Sequence, residues 1–309
     1  MSDAAREHLA SGVALAKAGR QDEAETEYRT ALRLLPCYAG AHYCLGCLFL
    51  LQGKLEEAVV ELRDAIHFDP RLRDTHSKLG HALKRLGRYD EAIAAYRAGL
   101  KREPHCAPVY SNMGLAYQEK GDLFMAVAHF RKAIEFNPEY ATAHTNLGIA
   151  LLLQGEICAA VAEQREAVRL DPTLAKAHFN LGNALSCGEG FAPALGAFQE
   201  AVRLAPDMAV AHTRLADLLA AAGRGDEAIA EYRQAIRLAP DDAQPLVSLG
   251  ANLLLRAAKE GSRRAADAAK EAFEQALKLD PKNKDALTLL RDVNKSLRPG
   301  LKVTWPRRK

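Results

Sequence analysis

Residues 141–174 read ATAHTNLGIALLLQGEICAAVAEQREAVRLDPTL, and the chain repeats that plan at intervals of 34 residues. Proline stands at 36, 70, 104, 138, 172, 206 and 240, so the interval recurs six times in succession. A unit this short cannot close a core alone, and its copies must stack and bury one another's faces. With each proline at position 32, units begin at Ala5, Ala39, Arg73, Ala107, Ala141, Ala175 and Ala209.

Within 141–174, His144, Leu147, Gly148 and Leu151 fall at i, i+3, i+4 and i+7, one stripe of a helix. A turn glycine follows at Gly155, as it does at Gly19, Gly53, Gly87, Gly121 and Gly223, while the sixth unit has Gly188 and Gly190 around Glu189. Glycine breaks the helix there so that the chain can reverse. A second helix carries Ala160 and Ala167 and stops before Pro172, which cannot continue it. Each unit therefore reads as a hairpin of antiparallel helices, here called helix A and helix B.

Three positions are small in nearly every copy. Position 8 is Gly12, Gly46, Gly80, Gly114, Gly148, Gly182 and Ala216; position 20 is Ala24, Ala58, Ala92, Ala126, Ala160, Ala194 and Ala228. Position 27 is alanine except for Gly99. Small groups let two helices approach closely, and a larger one would overpack the crossing by roughly 1–3 kcal/mol. Position 24 is large: Tyr28, Leu62, Tyr96, Phe130, Gln164, Phe198 and Tyr232, with Gln164 the single polar departure.

This pattern resembles the tetratricopeptide repeat, over residues 5–283. The resemblance implies an all-α, right-handed superhelical solenoid of antiparallel helix pairs, with units 5–38, 39–72, 73–106, 107–140, 141–174, 175–208, 209–242 and 243–283. The eighth is seven residues longer, since Pro240 to Pro281 is 41, and one added turn per helix around Lys259–Asp267 is the simplest account. Residues 284–297, with Leu287, Leu290, Val293 and Leu297 on one stripe, read as a capping helix. Residues 298–309 read as a basic, disordered tail.

Charge and composition narrow the function. The net charge is +3, but Arg298, Lys302, Arg307, Arg308 and Lys309 lie in the tail, so residues 1–297 carry 3 − 5 = −2. The body is not a nucleic-acid-binding domain by bulk charge. The apolar stretches are about eight residues, short of the roughly 20 that span a bilayer, and Met1–Ala10 has no long apolar core. The cytoplasm is the expected compartment. No phosphate-cradling loop or nucleophile elbow is present, so no enzyme and no cofactor are expected. Cys44 and Cys47 form a C-x-x-C, half of a zinc site without a second pair. Position 4 holds His8, His42, His76, His144, His178 and His212, with Tyr110 in the fourth unit. Tyr110 fills the slot as well, so these read as packing residues with a satisfied ring nitrogen rather than metal ligands.

Positions 4, 7, 8 and 11 of helix A share one side and positions 2, 6, 9 and 13 the other, at about 100° per residue. The first set packs, which leaves the second for a partner; the family resemblance places it along a concave groove. Position 6 reads Lys78, Asn112, Asn146, Asn180 and Arg214 from the third to the seventh unit. A primary amide both donates and accepts, so it can pair with a peptide's N–H and C=O together. The column resembles the asparagine ladder in the tetratricopeptide region of O-linked N-acetylglucosamine transferases. Lys78, Lys84 and Arg85, with His81, make a basic turn tempered by Asp74. Lys176, Asn180 and Arg214 partly resemble the carboxylate clamp of chaperone co-factors, although Thr142 and Val210 stand where lysines are expected; Asn183 is a further peptide-binding candidate on the same helix.

These residues predict a non-enzymatic scaffold that holds an extended peptide segment along the groove, with basic residues that bias it toward an acidic partner. The ladder supports a second reading, a substrate-recruiting subunit of a protein glycosyltransferase system. The clamp supports a third, a chaperone adaptor that recognises a C-terminal carboxylate.

Overall fold

The computed structural model describes residues 3–188 and 190–297; the expected tail at 298–309 lies outside them. Among the described residues there are 17 helices and no strand. They fall into two compact units, Met1–Gly155 and Glu156–Lys309. The first holds α1 (Asp3–Lys17), α2 (Gln21–Leu34), α3 (Ala39–Gln52), α4 (Leu55–Phe68), α5 (Thr75–Arg85), α6 (Tyr89–Leu100), α7 (Ala107–Lys120), α8 (Leu123–Phe136) and α9 (Ala141–Leu153). The second holds α10 (Ile157–Leu170), α11 (Ala175–Gly188), α12 (Phe191–Leu204), α13 (Ala209–Ala221), α14 (Gly225–Leu238), α15 (Ala243–Glu260), α16 (Arg263–Leu279) and α17 (Lys284–Ser296).

Within each unit consecutive helices pack as hairpins, and each hairpin packs on the next. The small positions are the reason. All seven alanines at position 20 are wholly buried, as are the six at position 27. At position 8 the second helix comes so close that a methyl group on Gly114 would lie 2.6 Å from the Phe130 ring, and one on Gly80 2.6 Å from the Tyr96 ring. Real carbon contacts do not reach that distance, so glycine sets the approach of helix A to the aromatic ring of helix B. The turn glycines from Gly19 to Gly223 have φ between 75° and 94°, the left-handed region that glycine enters without steric cost.

The eighth hairpin is longer in both arms: α15 has 18 residues and α16 has 17, against 13 and 14 in α13 and α14. Helix α17 packs on α16 and α15. Its buried stripe differs slightly from the sequence expectation. Ala286 and Val293 are wholly buried, whereas Leu287 is 46% exposed. Ala286, Leu290, Val293 and Leu297 are therefore the inward residues, and Leu297 packs on Ala257, Ala265 and Ala266.

In the fourth repeat the position-4 tyrosine belongs to an aromatic stack. His129 on α8 lies against Tyr117 (centroids 5.1 Å, planes 9° apart) and Tyr110 (6.1 Å, 25°). Both His129 ring nitrogens are buried without a hydrogen-bond partner. Burial, reinforced by the Arg97 charge, pushes its pKa below the ordinary value. The unfolded chain then binds a proton below about pH 6.5 that the folded chain does not, so this histidine destabilises as pH falls. His129→Phe keeps the stack and removes two unpaired nitrogens. It should raise stability by about 1 kcal/mol at pH 7 and by more at pH 5; urea midpoints at the two pH values check it.

Candidate peptide-binding face

Packing fixes which side of each helix A is open. In α7, Met113, Gly114 and Tyr117 are buried, and Asn112 at position 6 is half-buried. The same rotation leaves position 13 most exposed: Leu51 is 77%, Leu153 60% and Leu255 57% exposed. These leucines were not singled out from the sequence, although their position on the 2, 6, 9, 13 face was readable there. Large exposed apolar residues are not confined to this face, since Phe124 on α8 is also 77% exposed.

In the first unit the expected residues separate into open and engaged groups. Lys78 is exposed and Asn112 half-buried. Asn146 is only 3% exposed, and its amide nitrogen donates to Ser111 Oγ of the preceding repeat at 3.4 Å. Lys84 Nζ donates to Glu119 of the next repeat at 2.7 Å. Arg85 Nη1 donates to the Leu50 carbonyl of the preceding repeat at 3.0 Å. The basic turn is thus largely spent on joining repeats. All three links span 35 residues, so neighbouring A helices meet one position out of step.

In the second unit Lys176 and Arg214 are exposed, and Asn180 and Asn183 are half-buried. Asn180 Nδ2 donates to the Lys176 carbonyl in its own helix at 2.8 Å, so one donor of that amide is engaged. Arg214 lies 3.9 Å from Asp217, whose carboxylate also accepts from the Tyr232 hydroxyl at 2.7 Å. That carboxylate tempers the charge available to a clamp.

The histidine column is a set of inter-segment clasps. His42 Nε2 meets the Pro36 carbonyl at 2.9 Å, and His144, His178 and His212 meet Pro138, Pro172 and Pro206 each at 3.0 Å. Nδ1 of His8, His42 and His212 meets Glu27, Glu61 and Glu231 at 2.6, 2.7 and 2.6 Å. A carbonyl and a carboxylate both only accept, so His42 must donate from both nitrogens, as an imidazolium does. His42, Glu61 and Asp64 bring ligand atoms within 4.8 Å of one another, but a doubly donating ring has no lone pair to give a metal. At Cys44 burial, then the charge of Cys47, pushes the thiol up to about 11, which disfavours the thiolate that zinc or a nucleophilic reaction needs.

Two helices in antiparallel array, small residues at the crossings and proline between hairpins have counterparts elsewhere. The profile described as "TPR repeat" matches residues 46–87, 81–121 and 119–155, and profiles described as "Tetratricopeptide repeat" match 179–243 and 266–283. No curated protein matches the chain. Among solved structures, YrrB, titled a TPR protein with an unusual peptide-binding site, is 23% identical over 64% of this chain and 98% of its own (TM-score 0.51). The APC/C hetero-tetramer Cut9–Hcn1 is 16% identical over 93% of this chain and 55% of its own (TM-score 0.66). The C-terminal part of a TPR protein from Cytophaga hutchinsonii is 17% identical over 80% of this chain and 99% of its own (TM-score 0.59). At these identities the likeness is one of fold. No described helix is long and apolar enough to cross a membrane. With the matched segments covering most of the chain and the hairpin geometry in agreement, this is a tetratricopeptide-repeat protein.

Proposed function

We propose that the chain is an interaction scaffold that holds an extended peptide segment of a partner protein along the open side of its A helices. The observation that carries this reading is the composition of that side. Exposed Leu51, Leu153 and Leu255 supply apolar contact. Half-buried Asn112 and Asn180 supply amides able to pair with a peptide backbone. Exposed Lys78, Lys176 and Arg214 bias the partner toward acidic sequences. Asn146 has a different part in this proposal: its amide joins helices α7 and α9, and Asn112 is the ladder residue of the first unit. Lys84 and Arg85 hold repeats together, and Asn183 extends the Asn180 side by one turn.

A displayed library of random twelve-residue peptides tests the reading. For selected peptides that engage the first unit, Asn112→Ala should weaken binding about tenfold, and for those that engage the second, Asn180→Ala should do the same, a loss of roughly 1.4 kcal/mol, with the melting temperature unchanged. Asn146→Ala should instead lower the melting temperature. Peptides held by both single variants as tightly as by the wild type would count against the proposal. The same peptides with amidated C-termini address the clamp formed by Lys176, Asn180 and Arg214: only a terminal-carboxylate mode loses binding on amidation.

A further inference from the structure

The third repeat departs from its siblings at one place, and we propose that this place is a binding pocket for a phosphate monoester. The other repeats serve as internal controls. Position 30 is Leu34, Phe68, Phe136, Leu170, Leu204 and Leu238 in the other 34-residue units, and each of these residues closes its helix B. Phe68 stacks on His42 at 5.4 Å and Phe136 lies 5.3 Å from Tyr110, so this residue covers the position-4 ring. In the third repeat position 30 is Arg102, position 27 is Gly99 in place of alanine, and α6 ends early at Leu100. Helix α5 also starts late, at Thr75, after Asp74 with φ 59°, the one non-glycine residue with positive φ among those described.

These departures open a cavity of about 200 Å³ whose lining includes Arg71, Arg73, Arg102, His76, Asp74 and Glu103. Arg102 Nη1 donates to the Pro70 carbonyl at 2.6 Å, the acceptor that the position-4 histidine uses in four other repeats. Position 23, glutamate in four repeats, is Ala95 here. His76 therefore has lost both partners of the clasp, and no described residue hydrogen-bonds its ring. Burial, then the Arg102 charge, holds its pKa below the ordinary value.

The lining carries three arginines against two carboxylates, one of which, Glu103, sits 4.0 Å from Arg73. Arg102 spends one N–H on Pro70 and keeps the others of its planar fork. Such forks match the oxygens of phosphate bidentately. An unclasped imidazole beside them can donate one hydrogen bond and, on taking up a proton, strengthen it. The phosphate could belong to a phosphorylated side chain of a partner or to a small phosphorylated molecule. The pocket goes beyond the peptide-binding reading and does not depend on it.

The test is an NMR titration of the His76 ring in the full chain with inorganic phosphate, phosphoserine and glutamate, against chloride at matched ionic strength. Phosphate or phosphoserine should shift the ring signals saturably and raise the His76 pKa by about one unit, whereas glutamate and chloride should not. Gly99→Ala with Arg102→Leu installs the residues that sibling repeats carry. It should keep or raise the melting temperature and abolish the response. Arg71→Gln with Arg73→Gln alters two exposed side chains and should weaken the response severalfold without touching the packing. A response to phosphoserine several times stronger than to phosphate assigns the pocket to a modified partner, and equal responses assign it to small phosphorylated molecules. No saturable response to either, or an unchanged response in both variants, overturns the proposal.

Discussion

Phe130→Ala is expected to lower the unfolding free energy by about 3–5 kcal/mol, the range for deleting a fully buried aromatic ring. The Phe130 side chain has no exposed surface, and its ring edge meets Gly114 more closely than any side chain there would allow. Glycine leaves no Cβ to fill the space when the ring is gone, so the cavity closes only by moving helix α7 toward α8. In a repeat array each hairpin contacts only its neighbours. The loss should therefore fall first on α7 and α8, which amide hydrogen exchange resolves helix by helix. Phe124→Ala, in the first turn of the same helix α8 and 77% exposed, should change stability by no more than about 0.5 kcal/mol. Equal urea midpoints for the two variants would contradict the packing described.

The second large effect is tied to pH. Burial alone would lower the pKa of His42, but its hydrogen bonds to Glu61 and to the Pro36 carbonyl outweigh burial and hold it above the ordinary value. Asp64 adds to the same effect. The folded state thus keeps a proton that the unfolded state gives up above about pH 6.5. This contribution is fully present below the unfolded pKa and is lost as pH rises through the folded one. Glu61→Ala removes the carboxylate partner of a histidine side chain that is 11% exposed. It should cost about 1.5–3 kcal/mol at pH 6, the worth of a charge-assisted hydrogen bond, and distinctly less at pH 9. Chemical denaturation at both pH values reads the difference; a cost independent of pH would mean that His42 does not donate from both nitrogens. The effect is opposite in sign to that of His129, whose depressed pKa weakens the fold on acidification, so the wild-type profile contains both and only the variants separate them.

The hairpins were legible because their determinants are local. A glycine that reverses the chain, a proline that ends helix B and an apolar period of 3.6 residues act within one unit. Copying that unit made the small positions visible as columns. The same periodicity told which side of helix A is packed, and Asn112 at position 6 lies on the other side as rotation required. What the period does not contain is the reach of one side chain toward another segment. The sequence places Lys84 and Arg85 in a basic turn on the groove face, whereas the structure pairs them with Glu119 and the Leu50 carbonyl. Asn146 read as a groove residue until Ser111 accounted for its amide.

By itself the sequence determined an array of helix pairs, the residues at each crossing and the side of helix A that packing leaves open. Tertiary structure alone decided which charges on that side are spent between repeats, which histidines are clasped, and that Gly99 and Arg102 leave His76 beside a cavity. The reason is physical. Helical phase is fixed by bonds along the chain, whereas hydrogen bonds across a 35-residue interval depend on the offset between stacked helices and on the rotamers that fill it.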